Sequence, residues 1–404
     1  MGSLPVQLRH IRQRLSVLAA LVLLLAACSL ADLPSPARQE PGGAAPPVQA
    51  TALPGLPPFA TQAGGQPAAP QAGGDLPSQS PPAPSPSPEP TATPTPARAQ
   101  LRQLTSGGCC VGPAWSPDGS RVLFIDKPSP DAPAGLWGVA ASGGSPEFFT
   151  GRLGLYSPDM QLLAFPQGGQ TVVERLADGQ QWTIPSEGRQ VSFSPDGAWV
   201  AWTTGQGGGP NDREARFVWV SRSDGTEARE VIGLYGGGFS AWFPDGRLLV
   251  SGRLNPEEEA QAYYAVSLTG GEPLELARGE RLRGGLLSPG GTWLVYLVAF
   301  SAQAEENGLW LVNTAGGERR RLDLFGAYRW RDDARLLIVP LDLNQPNHHL
   351  LQIEAAGGEA RPLTDPLVEP FKIANGDWAV SPGGQAVVFV SAAGGNLWLI
   401  ELPE

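Results

Sequence analysis

Trp115-Ser116-Pro117-Asp118-Gly119 leads directly into the apolar run Arg121-Val122-Leu123-Phe124-Ile125, and the reading of this stretch decides the fold. Pro presets φ in the turn, Asp accepts hydrogen bonds from the backbone just ahead of it, and Gly tolerates a positive φ. The stretch therefore predicts two short strands joined by a tight hairpin. The pattern returns about every 45 residues. Its further copies are Tyr156-Ser157-Pro158-Asp159, Phe193-Ser194-Pro195-Asp196-Gly197, Trp242-Phe243-Pro244-Asp245-Gly246, Leu287-Ser288-Pro289-Gly290-Gly291, a worn Trp330-Arg331-Asp332-Asp333-Ala334, and Val380-Ser381-Pro382-Gly383-Gly384. A second apolar run and a Gly-Gly or Asp-Gly turn follow each copy, as in Leu136-Trp137-Gly138-Val139 before Gly143-Gly144. Seven repeats of four strands predict an all-β chain, a seven-bladed β-propeller of four-stranded antiparallel blades over residues 99–404.

The ends of the repeat array predict how the ring closes. The last repeat stops one strand short, and Leu101-Arg102-Gln103-Leu104-Thr105, ahead of the first hairpin, matches fourth strands such as Ala360-Arg361-Pro362-Leu363-Thr364. The N-terminal strand is thus expected to complete the last blade, which removes two open edges. If the strands of a blade are named A to D from the axis outward, the A–B and C–D turns leave on one face and the B–C and D–A connections on the other. The first set is short throughout. The second includes 126–135, 204–214, 254–261, 302–307, 343–349 and the D–A connections 106–112 and 365–377. Binding residues usually sit on such long loops at one end of a rigid scaffold.

The aromatic-Ser-Pro-Asp-Gly hairpins resemble the WD-repeat-like propeller units of the periplasmic protein TolB and of prolyl-oligopeptidase-type peptidases. The resemblance covers residues 99–404 and implies the fold, while function varies widely on this scaffold. Neither a hydrolase domain after Glu404 nor a folded TolB-type domain before the repeats is visible, so neither activity is carried over.

Ahead of the propeller, Arg9, Arg12 and Arg14 precede the apolar run 15–27, which ends Leu25-Ala26-Ala27-Cys28. This resembles a bacterial lipoprotein signal peptide (1–27), with cleavage before Cys28 and acylation of its thiol; the alternative is an uncleaved membrane anchor. Residues 28–98 hold 19 of the 42 prolines and a single aromatic, Phe59. Such a composition buries too little apolar area to offset its ordering entropy, and predicts a disordered tether reaching roughly 50 Å as a coil or roughly 200 Å fully extended.

Loss of the three arginines takes the formal charge from −11 to −14, which argues against a nucleic-acid partner. On the long-loop face, Cys109-Cys110 either close a vicinal disulfide or pack as two thiols. His348-His349 are adjacent, without the spacing of metal ligands, so neither a metal nor a cofactor is expected. The run Glu257-Glu258-Glu259 reads as a solvated loop, and Gly207-Gly208-Gly209 lacks the Lys of a phosphate cradle. The Trp residues at 115, 242 and 330, and those at 137, 219, 310 and 398, recur in register and read as interblade core. No Ser elbow or His-based triad is present. In a closed ring the connections 106–112 and 365–377 meet at one mouth of the channel, gathering Cys109, Cys110, Lys372, Asn375 and Asp377, with Asn347, His348 and His349 from the preceding blade. That mixture fits a peptide, protein or glycan of the cell envelope bound without catalysis. A carboxylate-based glycan activity through Asp365 and Asp377, or a purely architectural role in an envelope complex, are the alternatives.

Overall fold

The computed structural model describes residues 99–206, 212–317, 319–342 and 344–403. The expected signal peptide, Cys28, the tether and Gly207-Gly208-Gly209 lie outside them. Among the described residues the chain is all-β apart from one 3₁₀ turn, Ala304–Glu306, and it forms a β-propeller of antiparallel sheets.

Each Ser-Pro-Asp turn is held by its own side chains. The Ser116 hydroxyl donates to Asp118 at 2.6 Å and accepts the Arg121 N–H at 3.0 Å. Ser157 with Asp159 and Leu162, and Ser194 with Asp196 and Trp199, repeat the arrangement. The turn glycine sits at positive φ, +69° at Gly119, where a Cβ is disfavoured. The second repeat places Met160 at that position, with φ +57°.

From these hairpins grow five four-stranded sheets and one of seven strands. The first holds Val111–Trp115, Arg121–Asp126, Gly135–Ala140 and Glu147–Thr150, and the second runs from Leu155–Tyr156 to Gln181–Ile184. The seven-stranded sheet runs from Ser192–Phe193 to Leu274–Gly279, followed by sheets beginning at Leu282–Leu287 and Gly326–Trp330. In the last, Ile373–Val380, Ala386–Ser391 and Leu397–Glu401 are completed by Gln100–Gln103. The N-terminal strand pairs antiparallel with Leu397–Glu401, from Gln100 opposite Glu401 to Gln103 opposite Trp398.

Separate sheets for all seven repeats, as the sequence predicts, do not form. The third and fourth repeats share the seven-stranded sheet because no loop parts them. Arg229–Trp242 stays extended for 14 residues, pairs first with Ala215–Arg222 and then with Leu248–Arg253, and changes partner at Tyr235. The glycines after Tyr235 make this possible: a Cβ on Gly237 would lie 2.2 Å from the Ser251 carbonyl oxygen.

Core clusters are shared between neighbouring sheets. Val122, Phe124 and Val139 of the first pack with Val388, Val390 and Leu399 of the last, which joins the two ends of the array. Polar clamps repeat at the same places: the Trp115, Trp242 and Trp330 indoles donate to the carbonyls of Ala379, Ser192 and Leu286, each on the inner strand of the preceding repeat. The second Trp set, at 137, 219, 310 and 398, packs half-buried against the core clusters as expected. Trp137 and Trp310 are half-buried, and their indoles donate to Pro133 and Glu306, so they fasten B–C loops as well as packing between sheets.

The worn turn of the sixth repeat serves both neighbours. Asp333 reaches into the fifth turn, where Gly290 stands in the Asp position, and accepts from the Ser288 hydroxyl, from Gly290 N–H at 2.9 Å and from the Thr292 hydroxyl at 2.5 Å. A Cβ on Gly290 would lie 2.7 Å from that carboxylate, so the missing Asp of one turn and the extra Asp of the next explain each other. Arg331, in the Ser position, is buried and donates to Gly384 and Pro403 of the last repeat and to Gln352.

Candidate functional site at the long-loop mouth

B–C and D–A connections meet in space as strand polarity demands. His348 N–H donates to Phe371 O at 2.8 Å, the Asn347 amide to Pro366 O at 3.4 Å, and Ala392 N–H to Lys372 O at 2.8 Å. The opposite face carries the short turns, tied to one another by Ser223 to Gly197 and Thr314 to Gly291.

Cys109 and Cys110 are joined by a disulfide between neighbours in sequence. The chain reaches it through Gly107 and Gly108 at positive φ, and Cys110 itself sits at φ +109°, a conformation that L-residues rarely adopt. Hydrogen bonds to the last repeat hold this knuckle: Cys109 N–H to Gly395 O at 2.9 Å and Gly108 N–H to Asn396 Oδ1 at 3.0 Å. The Thr105 hydroxyl accepts the Leu397 N–H at 2.9 Å and lies 3.0 Å from Cys109 Sγ, so its own hydrogen is left to point at sulfur. Both cysteines are half-buried and pack against the core cluster that holds Leu104, Val390 and Leu397.

Asp377 and Asn375 owe their positions to a bulge. Ile373 pairs with Ser391 and Trp378 with Phe389, and the residues between leave the ladder. Asn375 there takes φ +51° and is exposed. Asp377 is half-buried; burial raises its carboxyl above the usual range, opposed by a hydrogen bond from the Gly112 backbone. Lys372 is exposed, and among the described residues no carboxylate lies within ion-pair distance of it.

His348 links the two connections. Its Nδ1 accepts the Ile373 N–H at 3.2 Å and its ring stands edge-on to Phe371, with centroids 6.3 Å apart. Burial, with the nearby charges of Lys372 and His349, holds its pKa below the ordinary value. His349 lies half-buried beside it.

The eight expected residues thus fall into two groups, Asn347, His348, His349 and Lys372 on one side and Cys109, Cys110, Asn375 and Asp377 on the other. Between them stands the tight turn after Ser391, bonded at Ala392 to Lys372 and at Gly395 to Cys109. Sequence reasoning passed over this turn; its signal is Gly394-Gly395-Asn396, whose Asn side chain receives Gly108. Asp365 and Asp377 are engaged separately, by Leu367 N–H at 2.9 Å and by Gly112. Among the described residues no group of three or more His, Cys, Asp or Glu forms a metal cage, and no helix is long and apolar enough to cross a membrane.

No family model matches the chain, and no curated protein matches it. Solved structures do. An oligogalacturonate lyase in complex with manganese superposes with TM-score 0.54 at 15% identity, covering 76% of this chain and 94% of that one. The β-propeller domain of the Trilobed protease from Pyrococcus furiosus gives 0.41 at 13% identity over 76% and 85%. TolB from Acinetobacter baumannii gives 0.37 at 12% identity over 74% and 64%. At these identities the likeness is one of fold.

Proposed function

We infer that this chain is a seven-bladed binding propeller, the seven-stranded sheet counting as two blades that share one strand, and that its long-loop mouth engages a protein, peptide or glycan of the cell envelope. The observation that carries the reading is Lys372. It is an exposed cation without an ion-pair partner among the described residues, and its own backbone is pinned to the last repeat while Asp377, Asn375 and the Cys109-Cys110 knuckle are fixed across the same turn. A polar ligand such as a peptide terminus or a sugar meets there one cation, one carboxylate, an amide and a small apolar surface, all preorganised by backbone hydrogen bonds.

The setting is extracytoplasmic, and the anchor is the acylated Cys28. The arginine-flanked run 15–27 and the ending Leu25-Ala26-Ala27-Cys28 support this. Cys28→Ala should release the propeller from the detergent phase or block its processing; quantitative partitioning of the cleaved variant into detergent overturns the anchor. For the mouth, a photo-crosslinking side chain at Ala393, exposed on the turn between the two groups, should capture an envelope component that the same group at Ala334, on the short-turn face, does not. Equal capture at both positions overturns the mouth reading.

A further inference from the structure

The long-loop face is uneven. Its connections after the fourth repeat carry Phe300, Phe325, Leu341, Leu367 and Val368, exposed by 75, 43, 67, 89 and 62%, whereas the described connections before them expose only Val111 and Leu254 among large apolar residues. These side chains come from consecutive connections, of which the last three are joined by hydrogen bonds: Leu341 N–H donates to Phe325 O at 2.7 Å, and the Asn347 side chain reaches Pro366 O. Leu367 and Val368 form a fixed tip. Pro366 and Pro370 bracket it, while Asp365 receives the Leu367 N–H on its carboxylate and the Val368 and Glu369 N–H groups on its carbonyl, at 3.1 and 2.8 Å. An apolar pair displayed on a locked turn meets a partner without further ordering cost.

Charge selects the occupant. The same connections hold Glu305, Glu306, Asp323, Asp342, Asp365 and Glu369 against Lys372, His348 and His349. Arg319 and Arg321, at the adjoining strand, face Glu306 and Asp323, so the arc stays net negative, with Glu305 and Asp342 exposed and without an ion-pair partner among the described residues. Every exposed apolar side chain has a carboxylate within a few residues along the chain. An anionic lipid surface would be repelled, and a second copy would set one acidic rim against another. We propose that this arc docks a cationic amphipathic segment of a partner protein, its apolar face on Leu341, Leu367, Val368 and the two Phe side chains and its Lys or Arg residues among the surrounding carboxylates. The proposal rests on the long-loop face being the binding face, and extends it from the channel mouth to the outer arc.

The test uses the full chain and a labelled amphipathic peptide of leucine and lysine, with a leucine–glutamate counterpart of the same pattern, followed by fluorescence anisotropy. The leucine–lysine peptide should bind, weaken steadily with added salt, and lose about tenfold in affinity with Leu367→Ser/Val368→Ser. Phe217→Ser/Leu274→Ser, on strands away from these loops, should leave binding unchanged, and both pairs should keep the parent melting curve. Equal binding of the leucine–glutamate peptide, or an unchanged Kd in Leu367→Ser/Val368→Ser, overturns the proposal. So does a loss in that variant of flotation with phosphatidylglycerol vesicles, which would identify a membrane, or of a dimer in sedimentation, which would identify a second copy. Lys372→Ala/Asp377→Ala should retain peptide binding. Retained peptide binding with unaltered envelope capture in that pair would sink the mouth reading alone.

Discussion

Asp333 completes the turn of a neighbouring repeat, so its loss should be felt in the adjacent sheet. Asp333→Ala leaves the Ser288 and Thr292 hydroxyls and the Gly290 N–H without their shared acceptor, and should cost about 1–3 kcal/mol in chemical denaturation. Gly290→Asp alone should also destabilise, since its Cβ would meet the Asp333 carboxylate at 2.7 Å, yet combined with Asp333→Gly it should recover much of the loss by rebuilding the Ser116–Asp118 pattern within one turn. Additive losses in the double variant would contradict the exchange. His348 gives a pH signature. Its folded pKa lies below the unfolded value, so the unfolded chain takes up the proton first as pH falls. The stability it contributes is complete above about pH 6.5 and declines below that until the folded state is protonated too. Protonation also removes the acceptor of the Ile373 N–H. Comparison with His348→Asn between pH 8 and pH 5 should show a steeper loss in the parent; Asp377, whose carboxyl is raised, contributes with the opposite sign, so an Asp377→Asn background sharpens the difference. Parallel pH profiles would contradict the assignment.

At the level of strands and loops, closure rests on Gln100–Gln103 and the residues just after it. Besides the ladder to Leu397–Glu401, Thr105 closes both the N–H and the carbonyl of Leu397, and Arg102 donates to Ala141 of the first repeat at 2.7 Å. Deleting residues 99–105 should expose the Leu397–Glu401 edge and the apolar surface of Leu399 and Ile400, lowering the melting temperature strongly, by an amount equivalent to several kcal/mol. Deleting 29–90 should leave it near the parent value, and equal small effects would contradict closure by this strand. The hairpins and the displaced strand were legible in the sequence because their signals are local: Ser-Pro-Asp-Gly fixes its own hydrogen bonds, and Leu101-Arg102-Gln103-Leu104 carries the outer-strand pattern wherever the chain places it. The Asp333–Gly290 exchange was not legible, since each residue alone reads as a decayed turn and only the packing of neighbouring repeats pairs them. Nor was the continuous strand Arg229–Trp242, where Gly236-Gly237-Gly238 serve as a crossing point between two ladders that only the tertiary pairing reveals. At the mouth the loop residues were foreseeable from strand polarity, whereas the turn after Ser391 that divides them was too short to stand out.

Across the whole molecule, one face is built for geometry and the other for display. The short-turn face spends its polar groups within and between turns, as Ser116, Asp118, Asp333 and Arg331 show, so substitutions there should act on stability. The long-loop face fixes its backbone through His348, Thr105 and Gly395 and leaves Lys372 and Asn375 outward. Capture of the proposed envelope partner by the full-length protein, measured after crosslinking beside a melting curve for each variant, tests this division most directly. Lys372→Ala/Asp377→Ala is predicted to reduce capture with a nearly unchanged melting temperature, and Gly119→Ala, which forces a Cβ into φ +69°, to lower the melting temperature while folded protein still captures. Capture that follows the melting temperature alone, or that survives intact in Lys372→Ala/Asp377→Ala, would contradict the account.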